Sequence, residues 1–159
     1  MKHSLLLTVF LFGSILCAYG QKKITFEQVA FEYYRDSVFK HYKGKDKIKI
    51  SKTPIADYSY WNVKCLKEFA LTINDTAAGV TPSRITGIID IGDDNRFELK
   101  KFKKNKSGQV FVTPVLSFET GQNIVALIEN LDGTFVTYLF DITGDGKIKK
   151  WRKERLMIE

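Results

Sequence analysis

The sequence predicts an α+β domain: an N-terminal amphipathic helix, joined by a second helix, packed on a curved antiparallel sheet of about four to six strands. Three observations carry this reading. Thr25–Lys43 is apolar at helical spacing, with start and stop signals at its ends. Three β-rich runs follow one another between Gln109 and Ile142, separated only by short turns. Connections that short force antiparallel neighbours, because a parallel pair needs a long crossover.

Met1–Gly20 has the form of a secretory signal peptide. Lys2 and His3 make the n-region, Leu5–Leu16 the apolar h-region, and Ala18 and Gly20 the small residues before a cut. Leu5–Leu16 is too short for a comfortable membrane span. Cleavage leaves Gln21–Glu159 as one domain, periplasmic or secreted. A lipoprotein anchored through Cys17 is disfavoured by Leu16, which stands where a small residue is expected. Without Cys17, Cys65 is the only cysteine, so no internal disulfide forms, and burial as a small hydrophobe is its simplest role.

The helix over Thr25–Lys43 opens on a capping box, Thr25 with Gln28, and Ile24 and Val29 suit a hydrophobic staple. Phe26, Val29, Ala30, Tyr33, Ser37 and Val38 form its apolar face, and Phe26, Tyr33 and Tyr34 make it a lid for the sheet. Lys40, His41 and Lys43 suit the last turn, and Gly44 the stop. Lys47–Ser51 alternates into a short strand. Ser59–Ile73, with Leu66, Phe69, Ala70 and Ile73 at helical spacing, predicts the second helix. Asn74–Ser83 reads as loop. Arg84–Ile91 and Asn95–Phe102 read as strands joined by Gly92-Asp93-Asp94, and Lys103–Gly108 as a polar loop.

Gln109–Glu119, Asn123–Leu131 and Thr134–Ile142 are the three strands of the meander, and Lys147–Arg155 adds a fourth if it stays extended. Asp132-Gly133 is a strong hairpin signal. Pro114 cannot donate to a ladder, so it marks an edge or a bulge. Apolar residues fall on both parities of these strands, as in Phe135, Val136, Tyr138, Leu139 and Phe140. A sheet with one wet face alternates more cleanly. The second face is therefore covered, or the sheet curls on itself.

The residue inventory excludes much chemistry. Once the leader departs, His41 and Cys65 are the only histidine and cysteine, too few for a zinc site without heavy use of carboxylates. A catalytic dyad would have to use His41, in a basic helix end with no orienting carboxylate. No Gly-rich phosphate loop is present. Carboxylates for glycoside hydrolysis exist (Asp90, Asp93, Asp94, Glu119, Glu129, Asp141), and only their spacing in the fold decides whether they pair. Asn74-Asp75-Thr76 and Asn105-Lys106-Ser107 match the N-glycosylation pattern, a common chance match.

Two features remain. Asp141, Thr143, Asp145, Gly146, Lys147 and Ile148 stand at the spacing of the first eight positions of an EF-hand or dockerin calcium loop, which this stretch resembles. The resemblance implies calcium held by Asp141, Thr143, Asp145 and the Lys147 carbonyl. It fails at position 12, where Arg152 replaces the bidentate Glu, and a strand precedes the loop where the family has a helix. A Gly-Asp-Gly turn is the favoured reading. The second feature is charge. Without the leader the chain holds 24 basic and 18 acidic residues, and 11 of those cations lie in Lys100–Lys106 and Lys147–Arg155. Lys147, Lys149, Trp151 and Lys153 share one face of an ideal strand, a combination suited to polyanions, and Lys100, Lys103 and Lys104 extend it if the strands lie together. The competing role for these lysines is to keep an edge strand from aggregating.

A leading helix followed by a long antiparallel meander resembles the NTF2-like and cystatin-like layouts, and also small exported bacterial proteins of unknown function that end in a Pro-containing strand, two hairpins and a Lys-Trp strand. Such resemblances imply a function in the concavity or on an edge. The expectation is an exported, non-catalytic binding module for a protein, glycan or anionic surface, with nucleic acid an improbable target outside the cell. The alternatives are a carboxylate-based hydrolase or small-ligand pocket protein, and a calcium-stabilised domain.

Overall fold

The computed structural model describes residues 25–41, 46–59, 61, 63–72, 74, 87–102, 108–131 and 134–157. The leader at 1–20, Ile24, Gly44, Lys103, the 132–133 turn, the side chain of Cys65, and residues 75–76 and 105–107 of the two glycosylation tripeptides lie outside the described residues. The architecture is α+β. Helix α1 (Phe26–Tyr33) runs into one wider turn (Tyr34–Val38), and helix α2 spans Val63–Glu68. The strands are β1 (Ile48–Ser51), β2 (Phe97–Lys100), β3 (Gln109–Val112), β4 (Leu116–Ser117), β5 (Asn123–Leu131), β6 (Thr134–Ile142) and β7 (Ile148–Met157). They form a single open sheet in the order β2-β1-β3-β5-β6-β7, with β4 also on β5.

The meander forms as its short connections require: β5, β6 and β7 pair antiparallel in succession, and β3 and β4 pair antiparallel with β5. The expectation of a purely antiparallel sheet is corrected at β1, which inserts between β2 and β3 and runs parallel to both. The long connection from β1 to β2 supplies the crossover that such pairing needs.

β3 and β4 are one strand broken at Pro114. The Thr113 N–H bonds the Ala126 carbonyl at 2.8 Å, and the Thr113 hydroxyl accepts the Ala126 N–H at 3.0 Å. Past the proline, the Val115 N–H leaves the sheet and donates to the buried Glu27 carboxylate on α1 at 2.9 Å. The interruption expected of a strand proline is thus repaired by two side chains.

Both faces of the sheet are covered, which accounts for the two-parity apolar pattern. On one face α1 and the turn after it pack Ala30, Phe31 and Tyr34 against Ile50, Phe97, Val112, Val125, Leu127 and Phe140. On the other, the segment from Ile55 to Leu71 packs Trp61, Leu66, Phe69 and Leu71 against Phe111, Ile124, Ala126, Ile128 and Leu139. Three layers result, with the sheet in the middle.

The helices are shorter than their periodicity suggests. Thr25 caps α1 by accepting the Gln28 N–H at 3.3 Å. Gln28 spends its own amide elsewhere: it bonds both the N–H and the C=O of Asp90, each at 2.9 Å. Those are the groups a strand over Arg84–Ile91 needs, and residues 87–91 run instead as an irregular segment, held by the Ile89 N–H on the carbonyl of Lys52, just past β1. Regular α geometry ends at Tyr33, where the Phe39 N–H reaches back five residues to Tyr34. Arg96 satisfies the end, donating to the Phe39 carbonyl at 2.8 Å while paired with Asp94. Lys40 and His41 lie beyond the helix. Helix α2 stops at Glu68 because the chain closes it there: the Leu71 N–H returns to Leu66 and the Ala70 N–H to Lys67, with Ala70 left-handed at φ 57°. This is a Schellman closure with alanine where glycine is usual.

Candidate functional site

Strand β7 is the outer strand at one end of the sheet, and among the described residues it pairs with β6 alone. It extends for ten residues because the Thr143–Lys147 turn returns the chain onto β6 in register. A bulge near its start sets the direction of its side chains: Ile142 pairs with Ile148, but Asp141 pairs with Lys150, so Lys149 is the extra residue. Beyond the bulge, Trp151, Lys153 and Arg155 lie on the α1 face, and Lys150, Arg152, Glu154 and Leu156 on the other.

The bulge corrects the ideal alternation expected for Lys147, Lys149, Trp151 and Lys153. Lys147 belongs to the turn, where its ammonium pairs with Asp145 at 2.7 Å. Lys149 is exposed at the bulge. Trp151 is half-buried against Tyr33 and Phe140, with ring centroids at 6.0 and 6.5 Å. It anchors the strand under α1. Lys153 is exposed with its ammonium 5.4 Å from the Tyr138 ring centroid. On the opposite face Lys150 donates to the Glu68 carbonyl and Arg152 pairs with the Glu68 carboxylate. Lys100 does not join this group. It sits on β2, the opposite edge of the sheet, paired with Glu98 at 2.7 Å. Five strand spacings, on the order of 24 Å, separate the two edges. Arg155 joins Lys149 and Lys153 as an exposed cation without an ion pair among the described residues.

The 141–148 turn uses its oxygens internally. The Thr143 hydroxyl donates to Asp145 and accepts the Lys147 N–H at 3.0 Å, and Gly146 turns left-handed at φ 80°. The Lys147 hydrogen bond holds the Asp145 carboxyl below its ordinary range. Asp141 is buried within β6, and Arg152, at the twelfth position, is committed to Glu68. Among the described residues no cluster of three His, Cys, Asp or Glu side chains is placed to hold a metal.

One polar cluster escaped the sequence. The Tyr34 hydroxyl, in the wide turn after α1, donates to the Glu129 carboxylate at 2.5 Å. Glu129 is 4 % exposed, and burial pushes its carboxyl up while hydrogen bonds from Tyr34 and Tyr138 oppose the rise. Burial, and then the charge of Glu129, push the Tyr138 hydroxyl up. The signal was present: Glu129 holds the parity of Val125 and Leu127, a lone carboxylate on an inward face. Around it the space between α1 and the sheet is filled by Phe31, Phe97, Phe140 and Ile50. The other carboxylates are scattered. Asp94 is bound to Arg96, Asp90 is exposed on the irregular 87–91 segment, Asp93 and Glu119 are exposed in turns, and Asp141 shares the face of Leu139, opposite Glu129.

No family model, curated protein or solved structure matches this chain.

Proposed function

We propose that the protein is an exported, non-catalytic binding module that captures an anionic partner along β7. One observation carries the reading: the longest strand is an edge, and it concentrates Lys149, Lys150, Arg152, Lys153 and Arg155 against a single acid, Glu154. Arg152 is paired with the Glu68 carboxylate and Lys150 is held by the Glu68 carbonyl, which leaves Lys149, Lys153 and Arg155 as the exposed cations with neither tie. Export comes from the form of Met1–Gly20.

The test is binding of labelled heparin to the purified protein, as anisotropy at rising salt. Reversing Lys149, Lys153 and Arg155 to Glu should abolish binding. Reversing Lys40, Lys49 and Lys52, which makes the same change in net charge, should leave most of it. Equal losses would show that only overall charge matters, and the reading would fall.

A further inference from the structure

We propose that the partner adds to the sheet as a strand: an extended, acidic segment of another protein that pairs with the backbone of β7. The inference rests on the reading above and names its ligand. The two edges of the sheet are unlike. β2 has four residues, with Glu98 and Lys100 paired across its own surface. β7 has ten, and past the bulge at Lys149 it runs unbroken over residues 150–157. A strand paired on one side points the N–H and C=O of about every second residue outward. Such a row is a template for another extended chain, with the backbone supplying affinity and the side chains the choice of partner.

The side chains select against a second copy. Two β7 strands paired antiparallel about Arg152 set that cation against its twin and Lys149 against Arg155 on either side, three like-charge contacts against two of opposite charge between Lys150 and Glu154. Like charges opposite one another disfavour pairing. An acidic strand reverses the sign of every such contact. The asymmetry of β7 sets its pattern. On the α2 face the Glu68 carboxylate offsets Arg152 and the Glu68 carbonyl holds the Lys150 ammonium, so Lys153 and Arg155, on the α1 face, are the cations past the bulge that Glu68 does not engage. The added strand should carry its carboxylates at alternate positions, on that side.

The experiment compares three probes on the full-length protein: an alternating Glu/Thr decapeptide, the same peptide N-methylated at every second residue in each of the two frames, and a heparin oligosaccharide. Affinities come from titration calorimetry, and amide exchange is followed over 150–157. The inference expects the plain peptide to bind and slow that exchange, and methylation in at least one frame to weaken binding by tenfold or more. Equal binding of all the peptides overturns strand addition and leaves charge capture standing. Binding of heparin without the peptide makes the ligand a polyanion that adds no strand, and overturns it too. Failure of every probe removes the underlying reading as well.

Discussion

The two faces of the sheet are buried equally well by unlike covers. On one, α1 and the turn after it pack Phe31 and Tyr34 against the strands and are tied down through Glu27 on Val115 and Tyr34 on Glu129. On the other, a mostly irregular segment does the same work with Trp61, Leu66, Phe69 and Leu71, tied by the Ile55 N–H on Val112 and by Gln122 on the Phe69 carbonyl. The polar accounts of the two covers differ. Tyr58 and Trp61, edge to face at 5.4 Å in the irregular cover, each bury a polar atom with no hydrogen-bond partner among the described residues. Apolar strands demand a cover, but they do not demand that it be regular.

The sharpest way to break this comparison is to hollow each cover in turn. Phe31→Ala removes a fully buried ring that meets Phe97 edge-on at 5.4 Å. It should cost about 3–5 kcal/mol by urea denaturation. Leu66→Ala, equally buried on the other face, should cost about 2–5 kcal/mol. A Leu66 effect well under about 1 kcal/mol would mean that the second cover is loosely held and the two faces are not equivalent.

A smaller effect separates the covers by pH. Burial raises the Glu129 carboxyl above its usual 4.5, so the fold holds this proton more tightly than the unfolded chain does. That contribution to stability is complete below the unfolded value and is lost as pH rises through the raised folded value. Glu129→Gln should therefore gain on the parent protein as pH climbs from 4.5 towards neutrality, read as the difference between two melting curves. A difference that stays flat with pH would show that the α1 face does not feel this charge. The smallest effect belongs to the other cover. Ala70→Gly relieves a left-handed alanine and should stabilise by about 0.5–1 kcal/mol.

Regularity decided what could be read in advance. The nine-residue strands β5 and β6 appear over the predicted residues because alternation and short turns are local signals. Helix α1 was visible through Thr25 and its apolar spacing, although its deep face is Glu27, Ala30, Phe31 and Tyr34, turned from the one predicted. The second cover was visible in part: Leu66 and Phe69 at helical spacing marked the helix that forms over Val63–Glu68, but the irregular residues before it, with Trp61, have no period to read. The parallel seat of β1 was illegible for another reason: its partners lie far along the chain. The site was half legible. The basic run is plain in the sequence, but the bulge at Lys149, the burial of Trp151 and the removal of Lys100 to the far edge all depend on pairing.

The seat of β1 between β2 and β3 has a consequence for the order of events as the chain is made. β5, β6 and β7 can zip up through adjacent turns. β1 has no neighbour until residues 97–112 exist, and Tyr34 waits for a partner 95 residues downstream. Contacts over such separations form late, because closing the intervening loop costs entropy before any contact repays it. The amino-terminal third therefore leaves the ribosome before its strand partners exist, and β1 takes its seat in the sheet only after residues 97–112 have followed.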